Sequence, residues 1–239
     1  MPIKLLSLNI ENHQHLPLVI DLLEKEKPEV ICFQEIQEPD FEMFKRRFGF
    51  TGFFVPMITH IRTESAKELS VRQGIAFYTT LPLLKQEHFI YFGHGNAPRF
   101  KEPNSLERAL VWGIIEKEGK RYTIATTHFT WADDGGVNEE QRRDVQQLLK
   151  LLQQRELVLC GDFNAPRGRE IFKTLNLHLK DNIPPEIKTT LDPRLHKAGP
   201  LPYVVDYVWS TPRYMVSNVK VVSGVSDHMA ILAEIEMNR

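Results

Sequence analysis

The spacing of apolar residues changes along the chain and predicts alternating strands and helices. Residues 3–10 (IKLLSLNI) form an apolar run with strand character, whereas residues 15–26 place their apolar side chains at helical spacing. Those apolar positions are Leu16, Val19, Ile20 and Leu23. Pro28 ends this helix, and the run EVICFQE then predicts a buried strand. A strand, a helix and a strand in close succession predict an α/β opening with parallel pairing.

The rest of the chain continues this alternation. Further strands are predicted at 72–79, 86–92, 107–116, 121–129, 157–162, 203–210, 215–222 and 228–237, and helices at 38–48, 139–154 and 167–175. Gly119 in EKEGKR predicts a hairpin turn between two of these strands. A strand–helix–strand unit ending in Gln-Glu is echoed by one ending in Gly-Asp. Long loops are predicted at 57–71, 93–107, 131–138 and 180–203.

Composition indicates an ordinary globular chain. Its 239 residues are 42% hydrophobic and 26% charged, and the fifteen prolines and thirteen glycines are scattered, so we expect one domain over residues 1–239. The net charge is −1, whereas proteins that hold long nucleic acid by phosphate contacts alone are usually more basic. This balance weighs against a non-specific nuclease without excluding one, because local patches of charge matter more than totals.

The cysteines and the N-terminal segment bear on the cellular compartment. Cys32 and Cys160 lie in apolar strand-like runs, which favours buried free thiols over a disulfide or a metal site. The N-terminal apolar run is too short for a signal peptide, and no segment approaches the ~20 apolar residues of a membrane span. We therefore expect a cytoplasmic monomer without a membrane span.

The segment LVLCGDFNAP carries the most chemical information. Asp162 and Asn164 follow a buried strand at positions i and i+2, which in extended backbone places both side chains on the same side. A carboxylate beside an amide suits a water molecule or a metal ion near a phosphate. Gly-Asp and Asn-Ala-Pro also favour turns, so this segment alone leaves a turn and a catalytic pair equally open.

Other polar residues also adjoin predicted buried strands. They are Asn9 with Glu11, Gln34 with Glu35, Asp206, and Asp227 with His228. Each alone is more simply a surface cap or a satisfied polar group. Together they are harder to dismiss, because burying several carboxylates without partners costs several kcal/mol and a shared metal ion would offset it.

This ordered set of motifs resembles the endonuclease/exonuclease/phosphatase superfamily, also called the DNase I-like fold. The motifs are Asn9 in SLNIEN, Gln34-Glu35, Arg108 in ERAL, His128 in TTHF, GDFNA at 161–165, Asp206 in VDYVW, and Ser226-Asp227-His228. The resemblance spans residues 5–232. It implies a four-layer αββα sandwich, in which two mixed β-sheets are flanked by helices and the site lies at one end.

The resemblance also implies roles for these residues. Glu35 would be the principal Mg²⁺ ligand, with Asn9, Asp227 and Glu11 around the metal, and Mn²⁺ is an alternative ion. Asp162 would position or deprotonate the attacking water, and Asn164 would hold that water or a phosphate oxygen. His228, oriented by Asp206, would contact the scissile phosphate, and His128 would bind it or protonate the leaving oxygen. The implied reaction is in-line displacement at phosphorus.

Two positions depart from the nuclease pattern. Where related nucleases place a carboxylate that orients the His128 position, this chain has Gln73 nearby and no acid. His128 would then be held less firmly as a cation, or act as a hydrogen-bond donor without transferring a proton. Glu11 is also one methylene longer than the aspartate of the abasic-site endonucleases.

The loops around the site supply candidate substrate contacts. Arg108 and Gln73 adjoin the motifs, and Trp131 follows the HFT turn, where stacking on a ring and packing at a sheet edge are equally open. Arg99 belongs to a set of basic loop residues that either binds flanking phosphates or serves solubility. The other members of that set are His94, Lys101, Lys188, Arg194, His196 and Lys197.

Three functions compete for this sequence. The first is a metal-dependent phosphodiesterase, nuclease-like, acting on a nucleic-acid end, an abasic site or a protein–DNA phosphodiester. The second is a phosphatase or phosphodiesterase of small molecules or lipid head groups, such as inositol phosphates or sphingomyelin. The third is a non-catalytic binding module on the same fold, which we disfavour because no member of the catalytic set is missing.

Overall fold

The computed structural model describes residues 1–64 and 67–238, which form twelve strands and four α-helices. The strands are β1 (Ile3–Asn9), β2 (Val30–Gln37), β3 (Thr51–Glu64), β4 (Lys67–Thr79), β5 (Leu83–Phe92), β6 (Arg108–Lys117), β7 (Lys120–His128), β8 (Val158–Asp162), β9 (Lys180–Asp181), β10 (Asp206–Ser210), β11 (Tyr214–Val222) and β12 (Ala230–Met237). The helices are α1 (Leu16–Glu26), α2 (Glu38–Phe48), α3 (Glu139–Leu152) and α4 (Glu170–Asn176).

The strands assemble into two six-stranded mixed sheets. The first has the order β11-β12-β1-β2-β4-β3, and the second has the order β5-β6-β7-β8-β10-β9. In each sheet one central pair is parallel, β1 with β2 and β7 with β8, and the chain between the two strands contains a helix. The parallel pairing and the echo between the two strand–helix–strand units are therefore confirmed.

Two apolar clusters hold the layers together. Leu5 faces the second sheet and belongs to the inter-sheet cluster, which also takes in Leu148 of α3. Leu6 points to the opposite face and packs in a cluster with Val19 of α1 and Phe44 of α2. Because side chains alternate between the faces of a strand, one buried strand serves both clusters. The expected four-layer αββα sandwich is confirmed.

The predicted loop at 57–71 is wrong. Apart from residues 65 and 66, which lie outside the described residues, this stretch belongs to the β3–β4 hairpin, whose pairing runs from Thr51↔Thr79 to Glu64↔Lys67. Backbone hydrogen bonds between two strands suffice to form such a hairpin, and residues 57–71 show no strict alternation of apolar and polar residue types. The hairpin matters for function because it carries His60 and Gln73.

Several predicted boundaries move by a few residues. Helix α2 and the hairpin turn at Gly119 are as predicted, whereas α4 begins at Glu170 rather than 167, after a turn in which Gly168 has φ of 82°. Strand β10 begins at Asp206 rather than at 203, because the preceding residues cross from the loop to the sheet without strand pairing. No helix in residues 1–64 and 67–238 is long and apolar enough to cross a membrane.

Gly161 allows two central strands of the second sheet to approach closely. It pairs with Thr127 of β7 and Tyr207 of β10, and its φ is 135°. A Cβ atom at this position would lie 2.0 Å from the carbonyl oxygen of Thr127. Any side chain would therefore push β8 away from β7 and displace Asp162, which follows directly.

We expect Gly161→Ala to destabilise the fold by more than about 3 kcal/mol, because both the backbone conformation and the space exclude a methyl group. Gly119→Ala is the matched control, since Gly119 also has positive φ, 72°, but nothing lies within 4 Å of its added Cβ. Gly119→Ala should lower the free energy of unfolding by only about 1–2 kcal/mol. Chemical denaturation of both variants measures the difference, and equal losses would refute this role for Gly161.

Candidate active site

Polar side chains meet where the central strands of both sheets end. In the second sheet, Asp162 at the end of β8 pairs with His128 of β7 on one side and Asp206 of β10 on the other. In the first sheet, Asn9 at the end of β1 pairs with Gln34 of β2. The Asn9 amide spans the two sheets, because its Nδ2 donates to Asp162 Oδ2 at 3.2 Å. The strand ends therefore form one site.

A β-bulge places Glu35 in this site. The pairing of β2 with β4 shifts register between Phe33 and Ile36, and Glu35 adopts a left-handed φ of 57°. A bulge redirects a side chain out of the regular ladder. Glu35 Oε1 accepts a hydrogen bond from Asn9 Nδ2 at 3.2 Å, and Oε2 accepts one from Gln73 Nε2 at 3.1 Å. Asn12 Nδ2 also donates to Oε2, at 3.4 Å. The carboxylate is thus held by three amides and by no cationic side chain at hydrogen-bond distance within the described residues.

Asp162 and Asn164 form a turn and a polar pair at once. Asp162 Oδ1 accepts the backbone N–H of Asn164 at 2.8 Å, and Asn164 has φ of 48°. The Asn164 Nδ2 donates to the carbonyl of Phe129 at 3.1 Å and lies 3.3 Å from His128 Nε2. Burial raises the pKa of Asp162 to about 7. The turn therefore sets the pair in place, and the two readings of GDFNA are compatible.

Asp206 and His228 form a hydrogen-bonded pair. Both Asp206 oxygens face His228 Nδ1, at 3.1 and 2.9 Å, and His228 Nε2 lies 3.7 Å from Asp162 Oδ2. Burial opposes protonation, but the carboxylates of Asp206 and Asp162 outweigh it and raise the pKa of His228 well above its ordinary value. The raised pKa favours the imidazolium form of His228, whose Nε2 faces Asp162.

The pKa of His128 shifts in the opposite direction to that of His228. Burial, the positive charge of Arg108 and that of His228 hold the pKa of His128 well below its ordinary value. Its Nε2 lies 3.5 Å from Asp162 Oδ2, and its backbone carbonyl accepts a hydrogen bond from Arg108 Nη1 at 3.3 Å. Gln73 contacts Glu35 and His60 instead of His128. This geometry matches a neutral histidine that donates or accepts a hydrogen bond.

Basic side chains engage the carboxylate of Glu11. Its Oε1 lies 3.1 Å from Lys197 Nζ, and its Oε2 lies 3.0 Å from His15 Nε2. Burial tends to raise the pKa of Glu11, but the hydrogen bonds from Lys197 and His15 lower it overall. The Glu11 backbone N–H also donates to Asn9 Oδ1 at 3.1 Å. Both carboxylate oxygens therefore have partners.

The donor chemistry of the site fits a hard divalent cation. Asp162, Asp206 and His228 each offer a ligand atom within 4.8 Å of the others, and together they could hold a metal ion. Both Asp206 oxygens already face His228, so we favour the neighbouring carboxylates of Glu35 and Asp227. Burial raises the pKa of each, and the charge of Asp227 raises that of Glu35 further. Crowded oxygen ligands of this kind suit Mg²⁺ or Ca²⁺.

Most residues predicted for the site line one cleft of about 510 Å³. They are Glu35, Gln73, Arg108, His128, Trp131, Asp162, Asn164, Asp227 and His228. Asn9, Glu11 and Asp206 are buried behind this surface. Arg99 is exposed and pairs through its backbone with Thr59, and it is not among the lining residues. Its role in substrate binding stays a prediction.

Sequence reasoning missed several residues of the cleft. His60 and Phe100 line it, and His60 was hidden by the wrong loop at 57–71. Asn12 Nδ2 lies 3.4 Å from Glu35 Oε2. Asn12 directly follows the predicted site residue Glu11, and this adjacency could have identified it. Asn104 Oδ1 accepts hydrogen bonds from Arg108 Nη2 and from the Trp131 N–H, both at 3.2 Å. A polar loop residue with such contacts has no signature in the sequence.

The chain matches a known family and known structures over nearly its whole length. A sequence model described as the Endonuclease/Exonuclease/phosphatase family matches residues 6–228. The matched range begins within β1 and ends at His228, so it includes every residue of the site described above. No curated protein sequence matches the chain.

Solved structures share the fold at low sequence identity. A mannosyl-6-phosphatase from Bacteroides thetaiotaomicron has 14% identity and a TM-score of 0.72, covering 98% of this chain and 100% of its own. The human Nocturnin catalytic domain with bound sulfate has 18% identity and a TM-score of 0.70, covering 99% and 94%. D. rerio TDP2 complexed with a single-stranded DNA product has 14% identity and a TM-score of 0.68, covering 99% of both chains.

The His228–Asp206 pair can be tested without an activity assay. Asp206→Asn should lower the pKa of His228. Burial disfavours the imidazolium, and the variant removes one of the carboxylates that stabilise it. An NMR titration of the imidazole resonances measures the change. Asp21→Asn, an exposed position on α1, is the matched control and should leave the His228 titration where it is. An unchanged His228 pKa in Asp206→Asn would contradict the pairing.

Proposed function

The chain belongs to the endonuclease/exonuclease/phosphatase family, and on that premise we propose that it is a Mg²⁺-dependent phosphodiesterase acting on nucleic-acid phosphodiesters. The supporting observation is a single row across β7, β8 and β10, in which Asp162 lies between His128 and the Asp206–His228 pair. This row faces Glu35 in the same cleft. Such a row can activate a water molecule and hold a phosphate beside it.

Asp162 is the proposed general base. Its carboxylate is fixed by the Asn164 N–H at 2.8 Å and the Asn9 amide at 3.2 Å, so its orientation is set before substrate binds. Burial raises its pKa to about 7. A base with a pKa near neutrality can accept a proton from water at physiological pH and release it afterwards.

The two histidines take different parts in this proposal. His228, charged and oriented by Asp206, would donate from Nε2 to a non-bridging phosphate oxygen and offset the negative charge that grows there. His128, neutral and adjacent to Asn164, would donate a hydrogen bond to the phosphate or to the leaving oxygen. The pair thus supplies one cationic contact and one neutral contact to the same phosphorus centre.

Glu35 and Asp227 are the proposed ligands of Mg²⁺, with Mn²⁺ as a substitute. Asn9 orients Glu35, while Glu11 acts from a greater distance through its charge, because Lys197 and His15 occupy its oxygens. The bound cation would supply positive charge beside the phosphate oxygens. Arg108, buried and without a carboxylate at hydrogen-bond distance in the described residues, would add a second positive charge at the base of the cleft.

The substrate proposal draws on the cleft and on relatives of the same fold. The TDP2 structure holds a single-stranded DNA product, whereas the mannosyl-6-phosphatase acts on a sugar phosphate. The fold therefore serves both classes, and the proposal favours nucleic acid because two exposed aromatic side chains, Phe100 and Trp131, line the cleft. Small phosphate esters are the second candidate.

An activity panel tests the proposed reaction. With Mg²⁺ we expect turnover of at least one of four substrates: abasic duplex DNA, single-stranded DNA, a 5′-phosphotyrosyl oligonucleotide and bis-p-nitrophenyl phosphate. Asp162→Asn should lower kcat by about 10²–10⁴-fold with little change in thermal stability. Turnover of only the small diester would overturn the nucleic-acid assignment. Full activity in Asp162→Asn would overturn the role of Asp162, and an inactive wild type would favour a binding module.

The metal assignment predicts a binding defect that is independent of turnover. Glu35→Gln keeps the shape of the side chain but removes its charge, so Mg²⁺ affinity should fall by at least about 10-fold. Isothermal titration calorimetry with Mg²⁺ alone measures it. Glu42→Gln, on the exposed side of α2, is the matched control and should bind Mg²⁺ as the wild type does. Unchanged affinity in Glu35→Gln would place the metal elsewhere.

A further inference from the structure

Two exposed aromatic side chains lie in the cleft. Among the described residues, only two aromatic side chains count among the large exposed apolar ones, Phe100 at 47% exposure and Trp131 at 37%. Both line the cleft with Asp162 and His228. In the described part of the chain, neither is a member of the two apolar clusters. Leaving such rings in water is unfavourable, so their position suggests a ligand rather than a structural role.

The backbone fixes Phe100 in place. The Phe100 N–H donates to the Thr59 carbonyl at 2.9 Å, and the Thr59 N–H donates to the Pro98 carbonyl at 2.8 Å. The Thr59 hydroxyl donates to the Ala97 carbonyl at 2.7 Å. These bonds tie the loop that carries Phe100 to strand β3. An exposed ring on a pinned backbone is preorganised, because little freedom remains to be lost on binding.

A second ring supports Phe100 from behind. The His60 ring stacks on it, with centroids 5.2 Å apart and planes inclined by 26°. His60 Nε2 contacts Gln73 Oε1, and Gln73 Nε2 donates to Glu35 Oε2 at 3.1 Å. A continuous series of contacts therefore runs from Phe100 to the proposed metal ligand. A ring on the exposed face of Phe100 would be held at a fixed place relative to the phosphate.

Apolar side chains of the loop after Phe100 also line the cleft. They are Pro103 and Leu106, and Asn104 between them in the sequence donates from Nδ2 to the Trp131 carbonyl at 3.0 Å. Arg99 and Lys101, which flank Phe100, are exposed but are not among the lining residues. A flat, uncharged ring stacked on Phe100 would remove its apolar surface from water.

We propose that Phe100, supported by His60, is a stacking platform for a nucleobase of the substrate and thereby selects nucleotide-bearing phosphodiesters. This inference rests on the proposed function, because it assumes that the phosphate is bound at Asp162 and His228. Stacking on an aromatic ring accepts every base, since each has a π-face. The platform would therefore confer preference for nucleic acid without preference for sequence.

Two oligonucleotides with the same backbone separate base stacking from phosphate binding. One is an oligothymidylate, and the other has the same length with every nucleoside replaced by a tetrahydrofuran abasic analogue. With Mg²⁺, Phe100→Ala should lower kcat/KM for the oligothymidylate by about 10- to 100-fold, mainly through KM, because stacking strengthens ground state and transition state alike. For the abasic oligomer, kcat/KM should stay within about twofold of the wild type.

Replacement variants distinguish stacking from simple apolar contact. Phe100→Trp should keep the oligothymidylate activity, whereas Phe100→Leu, apolar but not planar, should resemble Phe100→Ala. Leu177→Ala, at an 82% exposed position after α4, is the matched control and should change neither substrate. Thermal denaturation should give similar stabilities for all variants, because Phe100 is outside both apolar clusters.

The outcomes that contradict the platform differ from those that contradict the reaction. An equal loss on both oligomers, full activity in Phe100→Ala, or rescue by Phe100→Leu would overturn base stacking while the phosphodiesterase function stands. Turnover of bis-p-nitrophenyl phosphate without turnover of either oligomer would overturn the platform and leave the hydrolytic chemistry intact. Failure on all three substrates and on the remaining members of the activity panel would overturn the proposed function itself.

Discussion

The Asn9 amide nitrogen donates to two carboxylates that belong to different sheets, Glu35 of the first and Asp162 of the second, at 3.2 Å each. These bonds hold together groups of like charge that would otherwise repel in a buried setting. The two sheets must also be aligned with each other for both hydrogen bonds to form. The packing of one sheet on the other and the geometry of the site therefore depend on the same few buried hydrogen bonds.

Burial sets the electrostatics around this centre. It raises the pKa values of Glu35, Asp162 and Asp227, because each carboxylate loses water and the charge of His228 offsets only part of that loss. The same burial gives the two histidines opposite states, since His228 faces carboxylates whereas His128 lies near Arg108. A site with unbalanced negative charge is prepared for a cation, and a charged histidine beside a neutral one is prepared for a phosphate.

Strained backbone also occurs at this site. Of the ten non-glycine residues with left-handed φ in the described chain, four belong to the site, namely Glu11, Asn12, Glu35 and Asn164. Each costs about 1–3 kcal/mol and persists only where the surroundings determine it. The bulge in β2 and the turn after β8 hold Glu35 and Asn164 in these conformations. The strain lowers the stability of the fold, and it orients polar side chains toward the site. The loop that presents Phe100 also contains a left-handed residue, Ala97 with φ of 46°, and hydrogen bonds with Thr59 hold that loop in place.

The local pattern of the sequence was sufficient for much of the architecture. Apolar spacing predicted α1, α2 and the parallel β1–β2 pair, because the faces of these elements are buried and their periodicity is therefore strict. The ordered motifs from Asn9 to His228 indicated, through the family that they resemble, which polar residues would come together, and most of these residues line one cleft. The spacing predicted residues 72–79 of β4 but neither β3 nor the distal part of the hairpin, where polar residues interrupt the apolar alternation.

Only the tertiary structure determined which partners these residues contact. It paired Gln73 with Glu35 and His60 instead of His128, and it engaged Glu11 with Lys197 and His15. It also brought Phe100 beside His60, although forty residues separate them in the sequence. Contacts of this kind depend on the register of distant strands and on the burial of each group. A linear pattern of residue types carries information about neither, whereas it does carry the periodicity that builds the layers.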